Sequence, residues 1–407
     1  MRVQWMKHLT LSEYSTELAV RLSGEQRDAL ARAIPSLSIA PTVGTEGHYD
    51  LTPSSWIGAF QLGDLGVEIR PKLPIERVLF LMSYAMDPTA WRDERIWFSS
   101  APSLHEAVIP AFVHHIQAAL RRGLLQGYRS EEEALQTVRG RVRFDEQIRR
   151  RFGVMPPIEV RYDEFSEDIL ENRLIKSAIR RLRRLRIRSD RARGSLRAID
   201  GALSSVDVVE YHPSHIPQVQ WSRLNNHYRS AVGLARLLLS GSVFESRQGD
   251  VMGSGFAVDM NRVFEDFVLV ALRESLGVST SAFRQGDRSL RLDRAGRVRL
   301  APDISWWDGR RCVFVGDVKY KKIKASGVLH PDLYQLLAYS VASDLPGGIL
   351  VYAAGESEEA SHEVVHIGRR LDVVTLDLAG SIQNVLGQID SVANRIRRWR
   401  GIAREAA

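Results

Sequence analysis

Asp303, Asp317 and Lys319 are the residues whose types and spacing speak most directly of chemistry. They stand in the stretch APDISWWDGRRCVFVGDVKYKK, from Ala301 to Lys322. Pro302-Asp303 precedes one strand-like run, Asp308-Gly309 marks a turn, and a second apolar run ends in Asp317-Val318-Lys319. Two carboxylates brought in by adjacent strands can hold Mg²⁺, which keeps several waters and binds through one or two carboxylates plus substrate phosphate. Val318, between Asp317 and Lys319, offers only its backbone carbonyl as a further ligand. Lys319 shares a strand face with Asp317, because side chains alternate with period two. From there an ammonium can orient or deprotonate an attacking water, or offset charge in the transition state. The chemistry this set suits is metal-dependent phosphodiester hydrolysis. An aspartate closing the apolar run Val313-Phe314-Val315 is costly without such a role.

Geometry constrains the idea. A two-residue Asp308-Gly309 loop sets Asp303 opposite Phe314, facing away from Asp317. A three-residue loop, Asp308-Gly309-Arg310, sets it opposite Val315, on the face of Asp317 and Lys319. Diagonal neighbours then lie about 7–8 Å apart, within reach of a shared ion. The site therefore requires the longer loop, or a bulge in one strand. Asp303 and Asp317 on opposite faces would exclude it.

The elements around this hairpin must position it. Upstream, Phe264, Phe267, Val268, Ala271 and Leu272 recur at helical spacing, so this helix packs one face on a core. Glu265 borders that face, where it either reaches the metal site or is a surface glutamate. Downstream, Pro331 suits the start of a helix, and Gln335 and Tyr339, four apart, share a face. Ordinary packing is one use of such a face. Strands are expected at Gly348 to Ala353, Val364 to Ile367 and Leu371 to Leu376, then a helix from Ser381 to Arg398. This order predicts an α/β core with a central mixed sheet.

The earlier part of the chain is more varied. Trp56 to Leu62 and Val67 to Arg70 read as strands about the turn Gly63-Asp64-Leu65-Gly66, and Ile75 to Met86 as a helix. Ser103-Leu104-His105-Glu106 has capping-box spacing and opens a helix towards Gly123, which Pro110 bends or begins. In Val138 to Phe144 a strand would put Arg139, Arg141 and Arg143 on one face, either a solvated edge or a contact for DNA or an acidic partner. Asp163 to Asp168 lead into a helix carrying Glu171-Asn172-Arg173, where acids suit an N-terminus. Nine arginines face one aspartate between Arg180 and Arg197, a solvated helix face or a ridge for phosphate or a partner. From Val206 to Trp221 the chain is irregular, with His212 and His215 on a proline-bent loop. The helix Asn225 to Leu239 stops at Gly241, and the loop through Gly249, Gly253 and Gly255 marks a boundary. The expected domains are a mixed α+β, strand-rich 1–95, a mainly helical 96–245 and an α/β 246–407.

Composition sets limits. A length of 407 residues leaves room for two or three cores. One cysteine, Cys312, excludes a disulfide framework or a cysteine-ligated cluster in one chain. It suits a reducing cytoplasm and sits in an apolar run, as a buried structural thiol does. The start MRVQWMKHLT has no apolar signal core behind it. The longest apolar run, near Val78 to Met86, is too short to span a membrane. The formal charge of +7 favours a polyanionic partner. No G-x-x-x-x-G-K-[ST] loop is present, so nucleotide hydrolysis is expected from a partner.

The ordered set MNRVFEDF (Met260 to Phe267), Pro302-Asp303, GDVKYK (Gly316 to Lys321) and YQLLAY (Tyr334 to Tyr339) resembles the PD-(D/E)XK nuclease signature. With GVEIRPKL (Gly66 to Leu73) and the DEFSED and ENR blocks upstream, the chain resembles the McrC family. That family supplies the nuclease subunit of McrBC-type modification-dependent restriction systems. The resemblance implies a restriction-endonuclease-like core at 246–407, with Asp303, Asp317, the Val318 carbonyl and Glu265 on Mg²⁺, or Mn²⁺ in its place. It implies Lys319 and Gln335 in the catalytic set, with Tyr339, Lys321 and Lys322 near DNA or a partner. It further implies docking on a GTP-hydrolysing McrB-like AAA+ ring, stimulation of that ring, double-stranded DNA with modified cytosine as substrate, and McrC–McrC pairing between rings. GTP is then used only through the partner. A stand-alone repair or recombination nuclease, and a non-catalytic activator of an AAA+ ring, are the competing readings.

Overall fold

The structure of the chain, a computed structural model, describes residues 7–34, 36–86, 88, 104–185, 187–212, 215–248, 251–320, 330–353 and 359–405. They form two compact units, residues 1–104 with 244–407, and residues 105–243.

The first unit opens with β1 (Lys7–Ser12), β2 (Glu17–Arg21), α1 (Gly24–Ala33), β3 (Ser38–Pro41), β4 (His48–Thr52), β5 (Trp56–Leu62), β6 (Leu65–Arg70) and α2 (Ile75–Met86). Ser23 and Gln26 close a capping box at the start of α1, satisfying amide hydrogens that a helix leaves unpaired. β5 and β6 pair antiparallel across the expected Gly63-Asp64 turn, and β1 lies parallel to β6. β2, β4 and β3 form a small separate sheet.

The second unit contains α3 (Leu104–Leu120), β7 (Gly127–Leu135), β8 (Arg141–Val142), α4 (Phe144–Arg151), β9 (Ile158–Ser166), α5 (Leu170–Arg184), α6 (Asp190–Ala202) and α7 (Arg229–Ser240). Several expectations change here. Pro110 sits inside α3, so it does not begin the helix. Residues 138–144 do not make a continuous strand. Gly140 turns the chain at φ +70°, where a Cβ would lie 2.4 Å from the Arg161 carbonyl oxygen, so the strand is only Arg141–Val142 and Arg143 precedes α4. Asp163 and Glu164 belong to β9, paired with β7, and not to a helix N-terminus. The arginine-rich stretch is two helices, α5 and α6, with Leu182, Leu185, Ile187, Leu196 and Ile199 turned inward.

The chain then returns to the first unit with β10 (Ser242–Gln248), β11 (Val251–Asp259), α8 (Met260–Leu276), β12 (Phe283–Arg284), β13 (Ile304–Asp308), β14 (Arg311–Lys319), α9 (His330–Ala342), β15 (Gly347–Ala353), β16 (Ala360–Glu363), β17 (Arg370–Leu376) and α10 (Ile382–Glu405). The expected boundary loop near Gly253 and Gly255 is instead strand β11. It pairs antiparallel with β5 and completes a five-stranded sheet in the order β1-β6-β5-β11-β10. Gly58 permits this pairing, because at φ +145° its Cβ would lie 2.0 Å from the Phe256 carbonyl oxygen. Residues 364–367, expected as a strand, form the turn between β16 and β17.

The expected central mixed sheet is present, ordered β12-β13-β14-β15-β17-β16. β13 and β14 are antiparallel, whereas β14, β15 and β17 run parallel. Its strands read as near-continuous apolar runs because helices cover both faces. α9 covers one face, where a Cβ on Gly348 would come 2.8 Å from Leu336. On the other, a Cβ on Gly347 would come 2.8 Å from Trp399 of α10, and Phe264 of α8 packs its ring 5.8 Å from that of Tyr320.

Candidate active site

The β13–β14 hairpin does what the site requires by the second of the two routes, a bulge in the strand pairing. Asp308 pairs with Arg311, so the loop is the two residues Gly309-Arg310, and a bulge shifts the register between Trp306 and Trp307. Beyond the bulge Ile304 lies opposite Gly316. One step further in this register sets Asp303 opposite Asp317, on the same face. The Asp303 carboxylate accepts a 2.9 Å hydrogen bond from the Val318 amide, which fixes it against β14.

Lys319 joins the pair. Its Nζ lies 2.6 Å from Asp317 Oδ2 and 3.6 Å from Asp303 Oδ2. Asp317 is wholly buried, and its Oδ1 has no hydrogen-bond donor among the described residues. Burial, with the Asp303 carboxylate beside it, pushes Asp317 up to about 7. Burial works against charge on Lys319, but the Asp317 and Asp303 carboxylates more than offset it and hold the ammonium well above its ordinary pKa. The lysine is therefore charged at neutral pH. Its charge favours orienting water and stabilising anions over taking a proton.

Glu265 is carried by α8, whose first turn is locked in place. Asp259 caps the helix and accepts a 2.7 Å bond from the Ser55 hydroxyl, while Asn261 Nδ2 donates to the same hydroxyl at 2.9 Å. Burial, with Asp303 nearby, pushes Glu265 up to about 8. Its carboxyl thus feels the site's charge, yet no three His, Cys, Asp or Glu side chains cluster tightly enough to hold an ion among the described residues. The residues present fit a hard cation held by two carboxylates and a carbonyl. The acceptor-only Asp317 oxygen without a donor is what such an ion would occupy.

α9 buttresses the hairpin from the site face. Gln335 Nε2 donates to the Tyr339 hydroxyl at 2.6 Å, and that hydroxyl donates to the Ala301 carbonyl at 3.2 Å. The helix is thereby tied to the segment leading into Asp303. Tyr339 is buried among Leu290, Trp307, Cys312, Val315 and Leu345, and burial pushes its phenol up to about 12. It supports the hairpin from within this cluster. Cys312 is inert as expected, its thiol pushed up to about 12 by burial.

The other expected contacts fare differently. Lys321 and Lys322 lie outside the described residues. Arg139 stacks 4.0 Å from the centre of the Tyr162 ring and lies 3.6 Å from Glu164, and Arg143 pairs with Glu132 at 2.8 Å. These two serve the β7–β9–β8 sheet, and the turn at Gly140 takes the three arginines off a common strand face. His212 and His215 stand 5.8 Å apart, ring to ring, with no ligand cluster about them among the described residues.

Two contributors were not anticipated. Asp332, buried on α9, accepts a hydrogen bond from Tyr352 and raises the Lys319 pKa further. Tyr352 is the register neighbour of Lys319 on β15. The signal was present, since Asp332 stands three residues before Gln335 on one helix face. Glu13 is wholly buried and lies 3.4 Å from the hydroxyl of Tyr320, the residue after Lys319, while accepting a 3.2 Å bond from the Lys72 amide. Burial pushes it up to about 7. No local pattern joins Glu13 to Tyr320; only tertiary pairing does.

The family described as McrBC 5-methylcytosine restriction system component matches residues 51–353. The type IV methyl-directed restriction enzyme EcoKMcrBC of Escherichia coli strain K12 is 20% identical over 302 residues, covering 70% of this chain and 86% of that protein. A refined half-complex of Thermococcus gammatolerans McrB AAA+ hexamers with bound McrC contains a chain of like fold. It matches at a TM-score of 0.56 and 19% identity, covering 96% of this chain and 100% of that one.

Proposed function

The chain belongs to the family of McrBC 5-methylcytosine restriction system components, and on that premise we propose that it is the DNA-cutting subunit of such a system. In this reading it is a Mg²⁺-dependent endonuclease that docks on a GTP-hydrolysing McrB-like AAA+ ring and stimulates it. Its substrate is double-stranded DNA carrying modified cytosine. The observation that carries the nuclease reading is the convergence of Asp303, buried Asp317 and Lys319 on one sheet face. The fold shared with an McrC bound to McrB hexamers supports the ring partner.

Asp303, Asp317 and the Val318 carbonyl would hold the ion, with Glu265 beside them. Mg²⁺, or Mn²⁺ in its place, supplies Lewis acidity toward the scissile phosphate when bound. Lys319, kept charged, donates hydrogen bonds that orient the attacking water and offset negative charge on the phosphate oxygens. Gln335 and Tyr339 hold Ala301 and so fix the approach to Asp303. Asp332 and Tyr352 sustain the charge on Lys319 from behind.

The test is cleavage of methylated and unmethylated plasmid with Mg²⁺, by the wild type and by Asp317→Ala. Each protein is assayed alone and with a McrB-like ring and GTP. Methylation-dependent cutting that needs both ring and GTP and disappears in Asp317→Ala is the expected result. Cutting by the chain alone would make it a stand-alone nuclease. Stimulated GTP hydrolysis without any cutting would make it a non-catalytic activator.

A further inference from the structure

The formal charge is unevenly shared. Residues 105–243 carry 24 basic and 16 acidic side chains, hence +8, so the remainder of the chain carries −1 of the total +7. Much of this excess lies on α5, α6 and the turn between them. The Arg183–Asp200 ion pair clamps the two helices together. Arg180 and Arg184 lie one turn, or about 6 Å, apart on α5, and Arg197 precedes Asp200, the partner of Arg183, by one turn on α6. Arg188 stands on the connecting turn, whose amide bonds Glu106 and holds the turn against α3.

Arg180, Arg188 and Arg197 are exposed, and their guanidinium groups meet no carboxylate among the described residues. Arg184 pairs with Glu210, at 3.8 Å, and stays half exposed. Arg193, by contrast, is spent on Asp190 and on the Ile187 carbonyl. The ridge also lacks the apolar centre that a protein interface needs. The large exposed apolar side chains of this unit, such as Tyr128, Phe144, Ile148, Phe152 and Phe165, belong to β7, α4, the residue after α4, and β9. None of them lies on α5 or α6. Planar guanidinium groups with five donors, exposed and away from carboxylates as on Arg180, Arg188 and Arg197, match phosphate oxygens and make no demand on base sequence.

We propose that the α5–α6 ridge of Arg180, Arg188 and Arg197 is a sequence-independent contact surface for the phosphate backbone of duplex DNA. The proposal rests on the DNA-cutting reading only in naming duplex DNA as the ligand. Arg183 is not part of the surface, because it holds α6 to α5.

The test is fluorescence anisotropy of the full chain with a short labelled duplex, in EDTA so that nothing is cut, across a salt series. The variant Arg180→Gln/Arg188→Gln/Arg197→Gln is compared with the wild type and with the matching triple lysine variant, on two unrelated sequences. Each lost phosphate contact lowers the slope of log K against log salt by about 0.9, so the glutamine triple loses roughly 2–3 from the slope. Its affinity near 50 mM salt falls at least about tenfold, equally on both sequences. The lysine triple keeps the slope, and thermal melts agree among all three proteins. An unchanged slope and affinity in the glutamine triple overturns the proposal. Unchanged DNA binding with weakened stimulation of the ring's GTP hydrolysis also overturns it, and assigns the ridge to an acidic protein surface. Asp317→Ala serves as the separate control. If it binds like wild type yet still cuts, the nuclease reading fails while the ridge stands.

Discussion

Asp317 carries much of the proposed chemistry in one side chain. It is buried, faces a second carboxylate and has an oxygen without a donor. A carboxyl pushed up to about 7 must shed its proton before it can hold a cation. The Mg²⁺ concentration giving half-maximal cleavage therefore falls as pH rises from 6 to 8, by up to about tenfold per unit where one proton is displaced. An Mg²⁺ titration of plasmid cleavage at three pH values checks this. Lys319→Ala should lower the rate by about 10²–10³ with little change in duplex binding, since it removes stabilisation of developing charge; single-turnover cleavage alongside anisotropy separates the two. Glu13 allows a test of stability free of the metal. Its folded pKa of about 7 exceeds the ordinary 4.5, so its favourable contribution is full below the unfolded value and lost as pH rises through the folded one. Glu13→Gln should thus raise the melting temperature at pH 8 and change it far less at pH 5. Asp303, Asp317 and Lys319 were legible in the sequence because an acid at the end of an apolar strand needs a reason. Glu13 was not, because its partner Tyr320 lies 307 residues away.

The elements divide by how local their cause is. α2, α8, β5, β15 and β17 follow from apolar periodicity and fall where that periodicity puts them. The hairpin of β13 and β14 depends on a bulge beside two tryptophans, which no turn rule locates. The strand at 138–144 failed for a local reason, the left-handed turn at Gly140, and β11 was missed because glycine-rich sequence argues against a strand until its partner is known. Position 348 shows how closely α9 rests on the sheet. A Cβ there would meet Leu336 and the Val315 carbonyl, each at 2.8 Å. Gly348→Ala should cost about 1–3 kcal/mol of stability by overpacking. Because the displaced helix carries Gln335 and Tyr339, it should lower cleavage more than Tyr339→Phe, which removes only the hydroxyl. Chemical denaturation and cleavage rates on the two variants provide the comparison.

At the scale of the whole molecule, the expected separation of a C-terminal 246–407 meets a sheet that crosses it. β11 of that stretch finds its hydrogen bonds on β5, register Gly253 to Leu62 through Asp259 to Trp56. Asp259 and Asn261 find theirs on Ser55. A fragment beginning at residue 246 should leave β11 without its partner edge, and unpaired edges associate. It should elute as oligomers or aggregate on size exclusion, and co-expression with residues 1–104 should restore a soluble complex. Periodicity placed β5 but neither β11 nor their union, since pairing over such a separation leaves no mark in either segment alone.

The same pairing sets a schedule for biosynthesis. β5 leaves the ribosome roughly 190 residues before β11, which at about 5–20 residues per second is a wait of roughly 10–40 s. Throughout that interval the β5 edge is complete, apolar and unaccompanied. The nascent chain must shelter that edge until its own later half arrives, so translation speed and chaperone access, as much as final stability, govern the yield of folded protein.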